Sequence, residues 1–250
     1  MIILVTGGNR GIGFAIVKSI SIRFPKSTIL LGCRNMTFGE EAVLQLQKDG
    51  AVAAVEAIQI DIESDSSIIA AVKSIEQKFG RLDVLINNAI KLERPSSHDL
   101  TCVRSAANAC YNNAITSNIV VTRAMEPLLR KATNPRVIMV SSTRGSMGRT
   151  AKKELPPVSV VDYCIAKAGL NMLVLQLQAA EDARAKTDQK LAFWAVSPGH
   201  CKTSFNGFKG TKDPADGAEV VLRLFDSAEG EIEGGTFWEY ENGVFQMPPW

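Results

Sequence analysis

Six short runs rich in β-branched residues, near 2–5, 28–31, 55–60, 84–86, 137–140 and 191–196, alternate along this chain with longer stretches of helical period. Those stretches lie near 11–23, 38–49, 66–79, 113–132 and 160–185. The runs are almost continuous in apolar residues, as strands covered on both faces are. Strands and helices alternating in this way close into a parallel, doubly wound α/β sheet with right-handed crossovers. A last run at 235–240, followed by a turn at 241–243, adds a strand at one edge. No internal repeat or linker-like stretch divides the chain, so one domain over 1–250 is expected. In such a sheet ligands bind beyond the carboxyl ends of the strands.

The sequence directly after the first run is Thr6-Gly7-Gly8-Asn9-Arg10-Gly11-Ile12-Gly13. Glycines at 7, 11 and 13 permit a tight turn and close backbone approach, and the helix that follows offers its first N–H groups to a pyrophosphate. A site selective for NAD carries an acid at the end of the second strand, on the ribose 2′-hydroxyl. Here no acidic residue occurs from Met1 to Gly39, while Arg10 lies in the loop and Arg34 follows the second run. Both guanidinium groups suit a 2′-phosphate, so NADP(H) is the expected cofactor. Lys18, Arg23 and Lys26 read as surface cations. Asp61, after the third run, either accepts from the adenine amino group or caps the next helix, a role for which Ser64 and Asp65 compete.

Tyr163 and Lys167 are four apart in a helical stretch and share a face. An ammonium beside a phenol favours the phenolate and lowers the phenol pKa, which makes the tyrosine a usable proton donor to a developing alkoxide.

In chain order the motifs are Thr6–Gly13, Asn87-Asn88-Ala89, Ser141-Ser142, Tyr163-Cys164-Ile165-Ala166-Lys167, and Pro198-Gly199 with Thr203. This set resembles the classical short-chain dehydrogenase/reductase family, from residue 3 to about 240. The resemblance implies a Rossmann-type fold and hydride transfer of the pro-S hydrogen between nicotinamide and a carbonyl carbon. It implies Tyr163 as proton donor, Ser142 as hydrogen-bonding partner of the substrate oxygen, and Lys167 as holder of the nicotinamide ribose. Thr203 would bond the carboxamide, and Asn87 and Ala89 would line the middle of the cofactor. The cofactor-binding set is then Gly7, Asn9, Arg10, Gly11, Ile12, Gly13, Arg34, Asp61, Ile62, Asn88, Ala89, Tyr163, Lys167, Pro198, Gly199 and Thr203. The segment 197–203 followed by 210–214 is similar to fungal NADP-dependent carbonyl reductases.

Three positions depart from the family pattern. Ile90 stands where the family has glycine, and either narrows the pocket or points into the core. Ala114 occupies the place of an asparagine that orders a proton-relay water; Asn113 is adjacent, but one helical step rotates a side chain by ~100°, so it substitutes only if the helix register differs. Ser142 and Tyr163 are further apart than usual, which makes 144–158 an extra loop near the pocket. Residues 199–215 resemble the family's substrate lid, with Phe205, Phe208 and Met147 as candidate apolar walls and His200 as a candidate contact. His98 reads as a surface residue, and the proline-rich tail 245–250 as a non-helical segment lying along an apolar groove or on its own sheet.

The function expected is NADPH-dependent reduction of a ketone on a hydrophobic small molecule. Two alternatives stay open: a cyclase or isomerase on the same scaffold, motivated by Ile90 and Ala114, and a non-catalytic NADP(H)-binding module. The net charge of 28 − 26 = +2 predicts no strong field for nucleic acid or membrane. No aromatic platform accompanies the N-terminal cations, so no nucleic-acid partner is expected. No apolar run nears the ~18 residues of a membrane span. The five cysteines are scattered and never spaced C-x-x-C, and the two histidines lie far apart, so neither disulfides nor a metal site is expected. A cytoplasmic enzyme results, with a homodimer or homotetramer as the assembly the resemblance implies.

Overall fold

The computed structural model describes residues 1–158, 160–185 and 189–250. Its first half runs β1 (Ile2–Thr6), α1 (Gly11–Arg23), β2 (Thr28–Cys33), α2 (Met36–Lys48), β3 (Ala54–Gln59), α3 (Asp65–Phe79), β4 (Val84–Asn87) and α4 (Leu100–Tyr111). A π-helical turn (Asn112–Thr116) leads into α5 (Ser117–Leu129), followed by β5 (Arg136–Val140), α6 (Met147–Ala151), α7 (Val161–Asp182), β6 (Ala192–Ser197), α8 (Pro214–Asp226), β7 (Thr236–Glu241) and β8 (Val244–Gln246). The sheet order is β3-β2-β1-β4-β5-β6-β7-β8. Strands β1 to β7 are parallel, and β8 returns antiparallel to β7. The expected doubly wound sheet is therefore present.

The two-residue period of a strand divides the core between the faces of this sheet. Ile3, Val5, Ile29, Leu31, Val84 and Ile86 pack with apolar residues of α1, α2 and α8. Leu4, Leu30, Leu85, Val137 and Met139 pack on the other face with α3, α5 and α7. Because both faces are covered, the strands can afford almost no polar residues. Strand β3 at one edge and β7 and β8 at the other are the exceptions, with partly exposed residues.

Several elements go beyond the sequence reading. Helix α4 is capped by Asp99, whose carboxylate accepts from the N–H groups of Thr101 and Cys102; His98 lies exposed just before it. Helix α8 has the cap Asp213 followed by Pro214 at its first turn, a start signal that stood in the sequence. The 144–158 insertion is partly ordered as α6. Asn242 and Gly243, both with positive φ (52° and 81°), close the β7–β8 hairpin.

Candidate active site

The loop after β1 is tied down from both sides. The Thr6 hydroxyl accepts from the backbone N–H groups of Asn88 and Ala89, each at 3.0 Å. The Asn88 amide donates back to the carbonyls of Thr6 (2.9 Å) and Gly7 (3.2 Å). Gly7 has φ +64°, and a β-carbon on Gly13 would overlap the Gly7 carbonyl oxygen and the Asn88 amide. Here glycine is a steric requirement. Helix α1 begins without a side-chain cap and without an acid in its first turn, which leaves its N–H groups to an anion.

Beside this loop lies a cleft of about 460 Å³ lined by Gly7, Asn9, Arg10, Arg34, Asp61, Ile62 and Ala89. Seven of the expected cofactor residues are thus brought to one cavity, Gly11, Ile12 and Gly13 open the helix at its edge, and Thr203 abuts Gly11. Among the described residues neither Arg10 nor Arg34 has a carboxylate partner. Ser64, not Asp61, caps α3, which leaves Asp61 at the cleft wall. A dinucleotide with an extra phosphate on its adenosine ribose fits these residues. Cys33, Asn35, Phe38, Ile60, Glu63 and Lys91 also line the cleft, and no periodicity or motif in the sequence marks them; Asn113, considered only for a shifted helix register, lines it too.

At the carboxyl end of β5, Ser141 is buried and its hydroxyl donates to Asn171 Oδ1 at 2.5 Å. Ser142 accepts from the Arg144 N–H at 3.2 Å, and its hydroxyl acts on the Tyr163 phenol in the direction that favours the phenolate. Lys167 is 4% exposed; its ammonium donates to the Val140 carbonyl at 2.6 Å and stands 5.7 Å from the centre of the Tyr163 ring. Burial pulls this lysine down to about 8 and pushes Tyr163 up to about 12, with the Ser142 hydroxyl opposing the rise. The expected lowering of the phenol is not found: desolvation of the phenolate dominates, and the ammonium is engaged with the Val140 carbonyl. The phenol therefore carries its proton, which is the form a donor needs.

The segment 199–215, expected as a lid, is held by several contacts. Cys201 bridges Lys212, Asn206 Nδ2 donates to the Cys201 carbonyl at 2.9 Å, and Lys212 pairs with Glu241. Phe205 packs its ring 5.8 Å from that of Tyr163, while Phe208 and Met147 are largely exposed. His200 is exposed, the Pro198 carbonyl accepts from the Cys201 thiol, and Gly199 has φ +85°.

Residues 1–213 match the short chain dehydrogenase family. The chain belongs to that family. A short-chain dehydrogenase/reductase of Aspergillus fumigatus is 36% identical over 260 residues, covering 100% of this chain and 97% of the relative. Human carbonyl reductase [NADPH] 1 is 29% identical over 252 residues, covering 88% and 89%. NADPH-bound carbonyl reductase from chicken fatty liver superposes with a TM-score of 0.79 at 21% identity, over 99% and 98% of the two chains. Salutaridine reductase from Papaver somniferum does so with 0.76 at 23%, over 94% and 98%. These two likenesses concern the fold. A short-chain dehydrogenase is an oxidoreductase.

Two departures from the family pattern acquire a physical account. The π-helical turn Asn112–Thr116 inserts a residue into the helical register, so Asn113 lines the cleft. Its Oδ1 accepts from the Lys91 N–H at 2.7 Å, and Ala114 is fully buried behind it. In this short-chain dehydrogenase the asparagine next to Ala114 is thus the one that reaches the cleft. Ile90 both lines the cleft and packs on the small cluster Cys110, Ala114 and Ala166. Ala114 therefore leaves room for the larger Ile90.

The insertion is fastened by the tail. The Ser146 hydroxyl donates to the Pro249 carbonyl (2.6 Å), the Gly148 N–H donates to the Trp250 carbonyl (2.7 Å), and Trp250 stacks on Phe237 at 5.4 Å. Arg149 meets Glu239, which is 1% exposed, at 2.5 Å. Among the described residues, no group of three His, Cys, Asp or Glu side chains is placed to hold a metal, and no helix is long and apolar enough to cross a membrane.

Proposed function

We propose that this short-chain dehydrogenase reduces a ketone carbonyl of a hydrophobic small molecule to the alcohol, using NADPH and with Tyr163 as proton donor. The observation that carries this reading is the meeting of Ser142, Tyr163 and Lys167 beside a cleft whose far wall holds Arg10 and Arg34 without carboxylate partners. Bound NADPH supplies the hydride. Arg10 and Arg34 grip the 2′-phosphate, the α1 N-terminus and Gly7, Asn9, Gly11, Ile12 and Gly13 receive the pyrophosphate, and Asp61 and Ile62 border the adenine. Asn88 and Ala89 line the middle of the cofactor, and Pro198, Gly199 and Thr203 border the nicotinamide. Ser142 orients the carbonyl oxygen by donating its hydroxyl proton toward it. Tyr163 then delivers its phenolic proton to that oxygen as negative charge develops there. Lys167, held by the Val140 carbonyl, places a positive charge below the phenol, and Asn113 closes the wall opposite. Residues 199–215 act as a lid, with Phe205 excluding water from the reacting oxygen.

The same reading places the enzyme in the cytoplasm, where its free cysteines stay reduced. It makes α5 and α7, whose outer faces expose Ile119, Ile165 and Met172, the contact of a homodimer or homotetramer. The decisive assay follows NADPH absorbance over a panel of aliphatic, aromatic and polycyclic ketones, with NADH alongside. Some ketone should be consumed with NADPH preferred, and Tyr163→Phe should lose roughly 10²–10⁴-fold in kcat. Full turnover by that variant would remove tyrosine from the mechanism.

A further inference from the structure

Arg144 is the second residue after Ser142, and its backbone N–H donates to the Ser142 hydroxyl at 3.2 Å. It sits half-buried in the turn that leads from β5 into the insertion. One arm of its guanidinium donates to the Pro156 carbonyl at 2.5 Å, which spans the insertion and fixes the side chain. Among the described residues this is its one side-chain hydrogen bond and it has no carboxylate partner. A guanidinium has five N–H donors in a planar fork, so most of them remain available. Burial raises the pKa of both Tyr163 and Cys164, and the Arg144 charge opposes that rise at each.

Contrast Arg149, on the same insertion: its fork is met by the buried carboxylate of Glu239. Arg144 has no such acid among the described residues. Residues 143–153 include Arg144, Arg149, Lys152 and Lys153 and no acid; residues 199–212 include His200, Lys202, Lys209 and Lys212 and no acid. Only Arg149 and Lys212 of these have carboxylate partners among the described residues. In a chain whose net charge is only +2, the segment beside Ser142 and the one that carries Phe205 are both cationic, bounded by Glu154 and Asp213, and such local positive charge favours an anion.

We infer that Arg144 anchors an anionic oxygen of the substrate, a carboxylate or an ionised phenol on an apolar carbonyl compound whose body lies against Phe205 and Met147. This rests on the reductase reading above and names the class of carbonyl compound that the site takes. A planar fork and a carboxylate meet in a two-bond pairing, with the carbonyl carried toward Ser142 and Tyr163.

The test compares the three acetylbenzoate isomers, which hold a carboxylate at three distances from one ketone, with their methyl esters. NADPH consumption is measured for wild type, Arg144→Gln and Arg144→Lys. At least one acid should be preferred over its ester. Arg144→Gln should cut the acid-to-ester ratio of kcat/KM by roughly tenfold or more, the loss of a charged hydrogen-bonded pair, and Arg144→Lys should restore part of it. Added salt should lower the rate on the acid more than on the ester. Equal losses on acid and ester would make Arg144 a strut for the insertion and overturn the inference, as would no preference in wild type. If no isomer or ester is consumed, binding of the acetylbenzoates to the NADP⁺-loaded protein, followed by tryptophan fluorescence, decides. Weaker binding by Arg144→Gln would keep the anion site; equal binding by both proteins would remove it. Whether other ketones consume NADPH judges the reductase reading separately.

Discussion

At Lys167 burial and charge oppose each other. The ammonium has lost water and gained one carbonyl, so its folded pKa of about 8 lies below its ordinary 10.5, while Tyr163 holds its proton to about 12. As pH rises the pair loses the lysine proton first. If the reaction needs that positive charge, kcat/KM for ketone reduction falls above pH of about 8, and Lys167→Arg, whose guanidinium keeps its proton, moves the descending limb upward; a pH–rate profile of both proteins checks this. Stability follows from the same shift. The unfolded lysine binds a proton up to about 10.5, so the penalty for burying the charge is complete below about 8 and fades between 8 and 10.5. Lys167→Met should therefore be more stable than wild type at pH 7, by up to roughly 3 kcal/mol before the lost hydrogen bond is counted. Urea denaturation should show that gap closing toward pH 10.

A helix register is set by a single residue at the π-helical turn. Asn113 and Ala114 exchange places between cleft and core there, and a regular helix read from the sequence puts the wrong one in the site. Asn113→Ala should lower kcat by about tenfold while leaving the melting temperature nearly unchanged, since it removes a bond to one backbone N–H. Ala114→Asn should instead cost about 1–3 kcal/mol, because it forces a polar amide against Ile90, Cys110 and Ala166. Activity and thermal melts of the two variants separate these outcomes. The strand runs, Gly7–Gly13 and the Tyr163–Lys167 pair were legible because each is a local pattern of glycine, spacing or β-branching. The π-helical turn was not, since it shifts the helical register without leaving a glycine, proline or change of period in 112–116 to mark it. Helix α8 was legible in principle through Asp213-Pro214, but that start signal falls at the end of the segment 199–215 that reads as lid.

Over the whole molecule, two apolar faces of one sheet specify the topology, which is why alternating runs sufficed to foresee it. What they do not specify is how distant segments fasten the site. Ser146 bonds Pro249 across 103 positions, by a hydroxyl and a backbone carbonyl, and nothing in side-chain pattern encodes such a contact. Trp250→Ala should cost about 1–3 kcal/mol through the lost stack on Phe237. It should also lower kcat more than it weakens NADPH binding, because it loosens the turn that holds Ser142 and leaves the cleft intact. Chemical denaturation and fluorescence titration with NADPH measure the two effects.

The tail contact also orders events during synthesis. A chain leaves the ribosome amino end first, so β1 to α5, with the dinucleotide cleft and Asn113, emerge early. Ser146 and Gly148 meet Pro249 and Trp250 only after β7 and β8 have been made. Every residue lining the cleft is thus made well before Pro249 and Trp250, on which the fastening of the serine turn waits.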